Sequence, residues 1–426
     1  MDTKNDGVLR SGGAARRGGN KKKKKPWIRT RHLIITVIAK IVLYPYIKLK
    51  YGARMEKFRE QGSRQYLILS NHQTAFDQFF VGYAFRGAIY YVASEDIFSM
   101  GFISDLLRWA VNPIPIKKQS TDVSAVLNCM RVAREGGSIA IFPEGNRTYG
   151  GRTGYINPAI IMLAKKLALP IALMRIEGGY GVSPRWSDKV RRGKMRSYVS
   201  RVLEPEEYRE MDDCAFLELI RRELYVDDVL APGEYRGTAL AEHLERAIYW
   251  CPCCGSPAEH ESCGNIIKCK KCSSAVEYLP NRELRGVGFD FPYKHIADWY
   301  EAQMKFVNSL DTARAVDEPM FTDVCDLSEV EVYKDKKLLL GGASVGLFGD
   351  RIEICSEGGE YRFNFDEIRA ITVCGKNKLN FYVGDKVYQL TGEKSFNALK
   401  YVNFAFRYKN IMKSERGEAY DEFLGL

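Results

Sequence analysis

The 426-residue sequence predicts a three-part fold: an α/β domain built on a mixed sheet flanked by helices, a cysteine-rich ribbon, and a small β-barrel-like C-terminal domain. Three patterns predict it. Short apolar runs alternate with helical patterns between Gln65 and Arg175, as in α/β layer architectures. Two Cys-x2-Cys pairs follow, Cys251 with Cys254 and Cys269 with Cys272. Strand-like runs separated by Gly, Asn and Asp turns then lead into one last helix.

The first element is charged. Residues 1–31 hold eleven Lys/Arg against Asp2 and Asp6, so +9 of the formal +11 sits there and the rest is near neutral. The basic balance belongs to an arm rather than to a nucleic-acid-binding domain, and no nucleic-acid partner is expected. Residues 1–27, rich in Gly, Lys, Arg and Asn, contain too little apolar material to offset ordering entropy and are expected to be flexible.

Residues 28–52 are apolar and aromatic with basic flanks, but Lys40 and Pro45 interrupt the longest stretch, 33–47. A spanning helix needs about twenty apolar residues. An amphipathic helix in the headgroup layer is therefore expected, with Lys40, Lys48 and Lys50 turned to anionic phosphates. Each basic residue near an anionic surface adds roughly 1 kcal/mol, which predicts peripheral attachment to the cytoplasmic face of a membrane containing anionic lipids. Mean hydropathy of -0.28 argues against a multi-span protein.

Residues 53–232 read as the α/β domain. Strands are predicted at 66–69, 88–92, 138–142, 171–176 and 198–203, and helices at 76–85, 124–135, 157–167 and 214–224. Directly after the first strand stands Ser70-Asn71-His72-Gln73-Thr74-Ala75-Phe76-Asp77. Imidazole titrates near neutrality and suits a general base on an alcohol. A carboxylate on its other nitrogen fixes the tautomer and stabilises the imidazolium. Five helical residues turn through about 500°, leaving side chains roughly 140° apart. His72 and Asp77 can meet only if His72 sits in the strand-to-helix turn, with Ser70 or Asn71 near the N-cap.

A second strand end carries Ile141-Phe142-Pro143-Glu144-Gly145-Asn146-Arg147-Thr148. Glu144 is placed to accept hydrogen bonds from a polyol, and Arg147 to hold a phosphate through paired N–H donors. Gly145 lets the backbone turn close to a ligand. Loops at the strand ends of an α/β sheet are where ligands bind, so both segments are expected to face one crevice.

Together the two motifs resemble the glycerolipid acyltransferase family, enzymes that acylate glycerol 3-phosphate or lysophosphatidic acid. The family's NHxxxxD motif stands at residues 71–77 and its FPEG-x-R-S/T motif at 142–148, with Asn146 where Thr is more usual. The second family motif is met loosely at 112–118. There Lys117 or Lys118 supplies charge without the bidentate fork of the usual Arg. Residues 169–173 look like the fourth motif, and the resemblance spans roughly 30–230.

The resemblance implies that His72, oriented by Asp77, deprotonates the hydroxyl of 1-acyl-sn-glycerol 3-phosphate. That hydroxyl then takes an acyl group from acyl-CoA or acyl carrier protein, giving phosphatidic acid without an acyl-enzyme. Glu144, Gly145 and Arg147, with Lys117 or Lys118, would position the glycerol phosphate. Glycerol 3-phosphate or another lysophospholipid stays open as acceptor.

Residues 248–279 form the ribbon. The two Cys-x2-Cys knuckles are fourteen residues apart, and four thiolates from Cys251, Cys254, Cys269 and Cys272 can surround Zn²⁺ tetrahedrally, closing a structural zinc ribbon. No cleavable signal peptide precedes them, so metal binding in a reducing compartment fits better than disulfides. Cys253, His260 and Cys263 are spare ligands. The other cysteines (Cys129, Cys214, Cys325, Cys355, Cys374) read as small buried hydrophobes.

A helical linker spans 280–320, with an aromatic amphipathic helix near 293–310. Residues 321–412 follow, with strands at 331–333, 344–347, 351–355, 361–365, 370–373, 378–383 and 386–390 and a helix at 395–408. By pattern alone this looks like a pleckstrin-homology or GRAM-like domain, and 413–426 is a tail. A reading of a different class is a non-catalytic zinc-ribbon and lipid-binding adaptor. Such a module has no need of His72, Glu144 and Arg147 together.

Overall fold

Side chains along residues 66–70 alternate between two separate cores. Leu67 and Leu69 enter one cluster with Ile139, Ile171 and Leu173, while Tyr66 and Ile68 enter another with Ala140, Ala172, Met174 and Ile176. A strand buried on both faces reads as a continuous apolar run, as these do. The computed structural model describes residues 26–94, 97–98, 102–116, 123–257, 259–330 and 336–425. Most of the basic arm, Lys117, Lys118 and the strand expected at 331–333 lie outside the described residues.

The first sheet comprises β1 (Ala53–Met55), β2 (Leu67–Ser70), β3 (Ile89–Ser94), β4 (Ile114–Ile116), β5 (Ser138–Ile141), β6 (Ile171–Glu177) and β7 (Met195–Leu203). Its order is β1-β7-β6-β2-β5-β3-β4. Only β6 with β7 is antiparallel, so the sheet is mixed, as expected. The three-residue strands β1 and β4 are too short to leave a periodic signal in the sequence.

Around the sheet lie α1 (Thr30–Tyr51), α2 (Asp77–Ala84), α3 (Phe102–Ala110), α4 (Val123–Arg134), α5 (Ala159–Leu167), the single turns α6 (Gly179–Val182) and α7 (Pro205–Tyr208), and α8 (Asp213–Leu224). Helix α8 begins at Asp213 because the Asp212 carboxylate accepts from the amides of Cys214 and Ala215, satisfying two otherwise orphaned donors.

Helix α1 departs from expectation. It runs unbroken through Pro45 for 22 residues, about 33 Å at 1.5 Å per residue, long and apolar enough to cross a membrane. Of the lysines expected to face outward, Lys48 and Lys50 are exposed and Lys40 is not. Lys40 turns inward, its Nζ donating to the Phe85 carbonyl at 2.7 Å. His32, Lys40, Tyr44, Ile47 and Tyr51, spaced three to eight residues apart, form the stripe that meets the domain: His32 Nδ1 lies 3.1 Å from the Tyr90 hydroxyl, and Tyr44 stacks on Tyr83 at 4.7 Å. Ile34, Val37, Ile38, Ile41, Val42 and Leu49 are left exposed.

The second half begins with a hairpin, β8 (Trp250–Cys251) with β9 (Ser256–Pro257). An antiparallel sheet follows, of β10 (His260–Cys263), β11 (Ile266–Cys269), β12 (Ala275–Tyr278) and β13 (Leu284–Gly286). Helix α9 (Ile296–Ser309) opens with a capping box between His295 and Asp298.

The last sheet is antiparallel: β14 (Phe321–Val330), β15 (Lys337–Leu347), β16 (Arg351–Ser356), β17 (Gly359–Asn364), β18 (Ile368–Cys374), β19 (Lys378–Val383) and β20 (Lys386–Gly392), ordered β17-β16-β15-β14-β20-β19-β18. Helix α10 (Ala398–Glu415) packs on β18 and β19. Strand β14 is half polar, with Thr322, Asp323, Asp326, Ser328 and Glu329, and its outer face concealed it in the sequence. Ribbon residues Ile267, Val276 and Tyr278 share one core with Tyr149 and Trp186 of the first half and with the last sheet. Cys129 and Cys325 are buried as expected. Cys214 and Cys355 are exposed, because each falls on the solvent side of its element.

Asn71, fully buried, fastens the end of β2 to β6: its Nδ2 donates to the Ile176 carbonyl and its Oδ1 accepts the Ile176 amide, both at 2.8 Å. Asn71→Ala leaves both backbone groups without these partners, so denaturant unfolding should show a loss of about 1–3 kcal/mol.

Candidate functional site

Strands β2 and β5 are parallel neighbours, with Leu67 opposite Ile139 and Leu69 opposite Ile141, so their carboxyl ends emerge side by side. The loop after β2 carries His72 and the loop after β5 carries Glu144, Gly145 and Arg147. The two loops are bonded to each other. The Thr148 amide donates to the His72 carbonyl at 3.1 Å, and the His72 amide donates to Glu144 Oε1 at 2.7 Å.

Asp77, fully buried at the first position of α2, organises the first loop. Its Oδ2 lies 2.8 Å from His72 Nδ1 and also accepts the amides of Gln73 and Thr74, while Oδ1 accepts the Thr74 hydroxyl at 2.6 Å. The expected N-cap role of Ser70 or Asn71 is not found. The Ser70 hydroxyl donates to the Asn71 carbonyl, Asn71 is committed to β6, and the residue before α2 is Phe76. The turn is closed from within by the acid, and this brings two residues five apart into contact.

The His72 ring stacks on Phe142 at 4.4 Å and its side chain is 21% exposed. Burial lowers its pKa below the ordinary 6.5. The Asp77 bond opposes that shift, and the charges of Arg147 and Arg185 add to it. With Nδ1–H donated to Asp77, Nε2 carries the lone pair of a neutral base.

Glu144 has a task beyond the one expected. Oε1 accepts the His72 amide and Oε2 accepts the Gly154 amide, both at 2.7 Å, so the residue braces the loops. Burial pushes its carboxyl up to about 8 against the pull of those two amides. Gly145 turns the chain at φ +69, a left-handed conformation that favours glycine.

Arg147 makes no ion pair among the described residues, and burial, followed by the charge of Arg185, lowers its pKa to about 10. A cavity of about 170 Å³ adjoins it, lined by Glu144, Asn146, Arg147, Tyr149 and Tyr300 among others, while His72 and Asp77 lie outside its lining.

Two arginines escaped sequence reasoning. Arg152 ties this loop to α9 through Asp298 at 2.9 Å and Glu301 at 2.5 Å, and pairs with Asp227, just after α8, at 3.0 Å. Arg185, behind Arg147, donates to the Arg147 carbonyl. Their partners lie 38 to 188 residues away, and neither belongs to a motif that could have announced it.

In the ribbon, the Sγ atoms of Cys251, Cys254, Cys269 and Cys272 all lie within 4.8 Å of one another, and Cys251 and Cys272 are 3.7 Å apart. Tetrahedral zinc with Zn–S of about 2.3 Å needs sulfurs about 3.8 Å apart. The four positions fit such an ion, and the cluster does not include Cys253, His260 or Cys263.

Residues 53–177, which hold the His–Asp pair and the arginine loop, match the family model described as Acyltransferase. The chain thus carries an acyltransferase domain over that span. It is 23% identical over 167 residues to chloroplastic 1-acyl-sn-glycerol-3-phosphate acyltransferases of Brassica napus and Arabidopsis thaliana, covering 37% of this chain and 46% and 44% of theirs. With the 1-acyl-sn-glycerol-3-phosphate acyltransferase of Borreliella burgdorferi it shares 30% over 112 residues, 25% of this chain and 44% of that one. The chain therefore spans less than half the length of these curated relatives. A solved 1-acyl-sn-glycerophosphate acyltransferase from Thermotoga maritima pairs with 46% of this chain and 95% of its own, at 18% identity and a TM-score of 0.33.

Glu144→Gln replaces one of two acceptors by a donor facing a backbone N–H. Chemical denaturation should show a loss of about 1–3 kcal/mol. Hydrogen exchange at the His72 and Gly154 amides should rise together, because one carboxylate holds both.

Proposed function

We propose that the protein is an O-acyltransferase that moves a fatty acyl group from a thioester, acyl-CoA or acyl carrier protein, to the free hydroxyl of 1-acyl-sn-glycerol 3-phosphate, giving phosphatidic acid. The observation that carries this reading is the 2.8 Å contact of His72 with Asp77, on a loop bonded to the one that bears Arg147. The acceptor class is that of the 1-acyl-sn-glycerol-3-phosphate acyltransferases the chain is similar to.

In this mechanism the phosphate sits against Arg147 and the acceptor hydroxyl approaches His72 Nε2. Nε2 takes the hydroxyl proton as the oxygen attacks the thioester carbonyl carbon, and Asp77 stabilises the imidazolium. The tetrahedral intermediate collapses with cleavage of the C–S bond. The departing thiolate recovers the proton from Nε2, so the histidine ends neutral and no acyl-enzyme forms.

The reading extends to location. A spanning α1 would drag α2 and β3 with it, because its inner stripe is fastened to the domain from His32 to Tyr51. Lying flat suits it better, presenting the exposed Ile34, Val37, Ile38, Ile41 and Val42 to acyl chains. Phe102, Ile103, Leu106 and Trp109 add a second exposed face on α3, joined to α1 where Arg31 donates to the Trp109 carbonyl at 2.9 Å. Basic residues at both ends of α1 and in the arm favour an anionic leaflet, as on the cytoplasmic side. The Cys251, Cys254, Cys269 and Cys272 thiolates hold a structural zinc ion whose role is to fix the β8–β9 hairpin to the end of β11.

His72→Ala should lower turnover of lysophosphatidic acid by at least about 10²-fold, measured by product mass, with the folded structure and vesicle binding kept. Wild-type-like turnover in that variant refutes the mechanism. In the wild type, kcat/KM should rise with pH and level off below the ordinary imidazole range, because the active form is neutral and its pKa is lowered.

Metal analysis should find one zinc per chain. Cys251→Ser should release it and lower the midpoint of thermal unfolding, since ion binding here is linked to folding.

A further inference from the structure

Residues 183–191 follow α6 and carry Arg185, which is 3% exposed and has no carboxylate partner among the described residues. Its Nη1 donates to the Arg147 carbonyl at 3.2 Å and its Nη2 makes long contacts, 3.5 Å to Asn146 Oδ1 and 3.3 Å to the Val373 carbonyl. Its Nε is buried with no partner. The guanidinium lies 4.4 Å over the ring of Tyr149, which lines the cavity beside Arg147. Two cations thus flank the same short loop, and the charge of Arg185 disfavours that of Arg147. The carboxylate that acts on Arg147, Asp77, is already committed to His72 and two amides. Arg185 is buried and Arg147 half-buried, and cations brought together out of water without counter-ions are costly unless an anion joins them.

The position of Arg185 is set from outside the acyltransferase domain. Val373 belongs to β18 of the last sheet, and Lys376, just after that strand, donates to the Ser187 carbonyl and to Asp188 Oδ1, both at 2.7 Å. Arg246 holds the same segment by donating to the Trp186 carbonyl at 2.8 Å and to Asp188. Trp186 is fully buried in the core shared with the ribbon and the last sheet. The segment is pinned on both sides of Arg185's neighbours, so the guanidinium is held in place before any ligand arrives.

We propose that Arg185 is a specificity-determining residue. With Arg147 it forms a paired-guanidinium site for a phosphate monoester dianion, and the C-terminal sheet holds it there. The proposal rests on the acyltransferase reading above and deepens it, naming the group that selects a phosphorylated acceptor and giving the appended sheet a task at the site. Arg185 touches the backbone of Arg147, so it acts both by its own charge and by fixing its neighbour.

The test uses the full chain, with 1-acyl-sn-glycerol 3-phosphate as acceptor and acyl-CoA as donor. R185Q should raise the acceptor KM at least about tenfold, leave the donor KM within about twofold, and weaken competition by inorganic phosphate by a similar factor. K376A, which loosens the support without touching the site, should move the acceptor KM the same way by a smaller factor. General structural damage would move both KM values together. If R185Q does not fold, R185K is measured instead, and loss of the fork should still raise the acceptor KM about threefold or more. An acceptor KM at the wild-type value in whichever Arg185 variant folds, or equal shifts in both KM values, overturns the proposal while leaving the acyltransferase reading intact. A wild-type protein that acylates no lysophospholipid overturns that reading itself.

Discussion

Two carboxylates facing backbone N–H groups, Asp77 fully buried and Glu144 half-buried, are the constraint on which the site depends. Asp77 gathers the His72 ring, two amides and a hydroxyl, and Glu144 takes the amide of His72 with one oxygen and that of Gly154 with the other. An unmade hydrogen bond is expensive in the interior, so neither loop can relax without stranding several donors at once. Held by its ring, its amide and its carbonyl, His72 has little freedom left to depart from the geometry that a proton transfer needs. Preorganisation of this kind is costly to assemble and therefore has to be supported by the surrounding sheet.

That support comes from the order of strands. Because β2 and β5 are adjacent and parallel, two segments about seventy residues apart emerge on the same edge, and Asn71 locks the first of them to β6 on the other side. Electrostatics follows from the same placement. Burial is the main force against protonation of His72, its acid neighbour opposes that, and two nearby arginines add to the burial, so its pKa lies below the ordinary value. In the proposed reaction these cations also face the anionic acceptor, so charge selection and base activation share residues.

The second half of the chain is part of this arrangement rather than an appendage to it. Arg152 joins the loop after β5 to α9, Ala297 approaches Gly150 so closely that a β-carbon there would lie 3.1 Å from its Cα, and β18 reaches Arg185. The ribbon contributes Ile267, Val276 and Tyr278 to a core it could not build alone.

The sequence by itself determined what local chemistry dictates. Apolar runs of strand length marked β2, β3, β5 and β6, the motif residues His72, Asp77, Glu144 and Arg147 could be named, and the cysteine spacing marked four thiolates that do cluster. Each of these signals lies within a few residues of chain. It could not show that Asp77 closes the turn from within, that Glu144 is a brace, or that Lys40 turns inward, because each depends on which backbone group lies opposite. The strand β14 was hidden because only its inner face is apolar, and Arg152 and Arg185 because charge pairing and burial at long range leave no periodic trace. Tertiary structure alone decided which distant groups share a low-dielectric pocket. Short-range pattern encodes conformation, whereas long-range contact is set by how the layers stack.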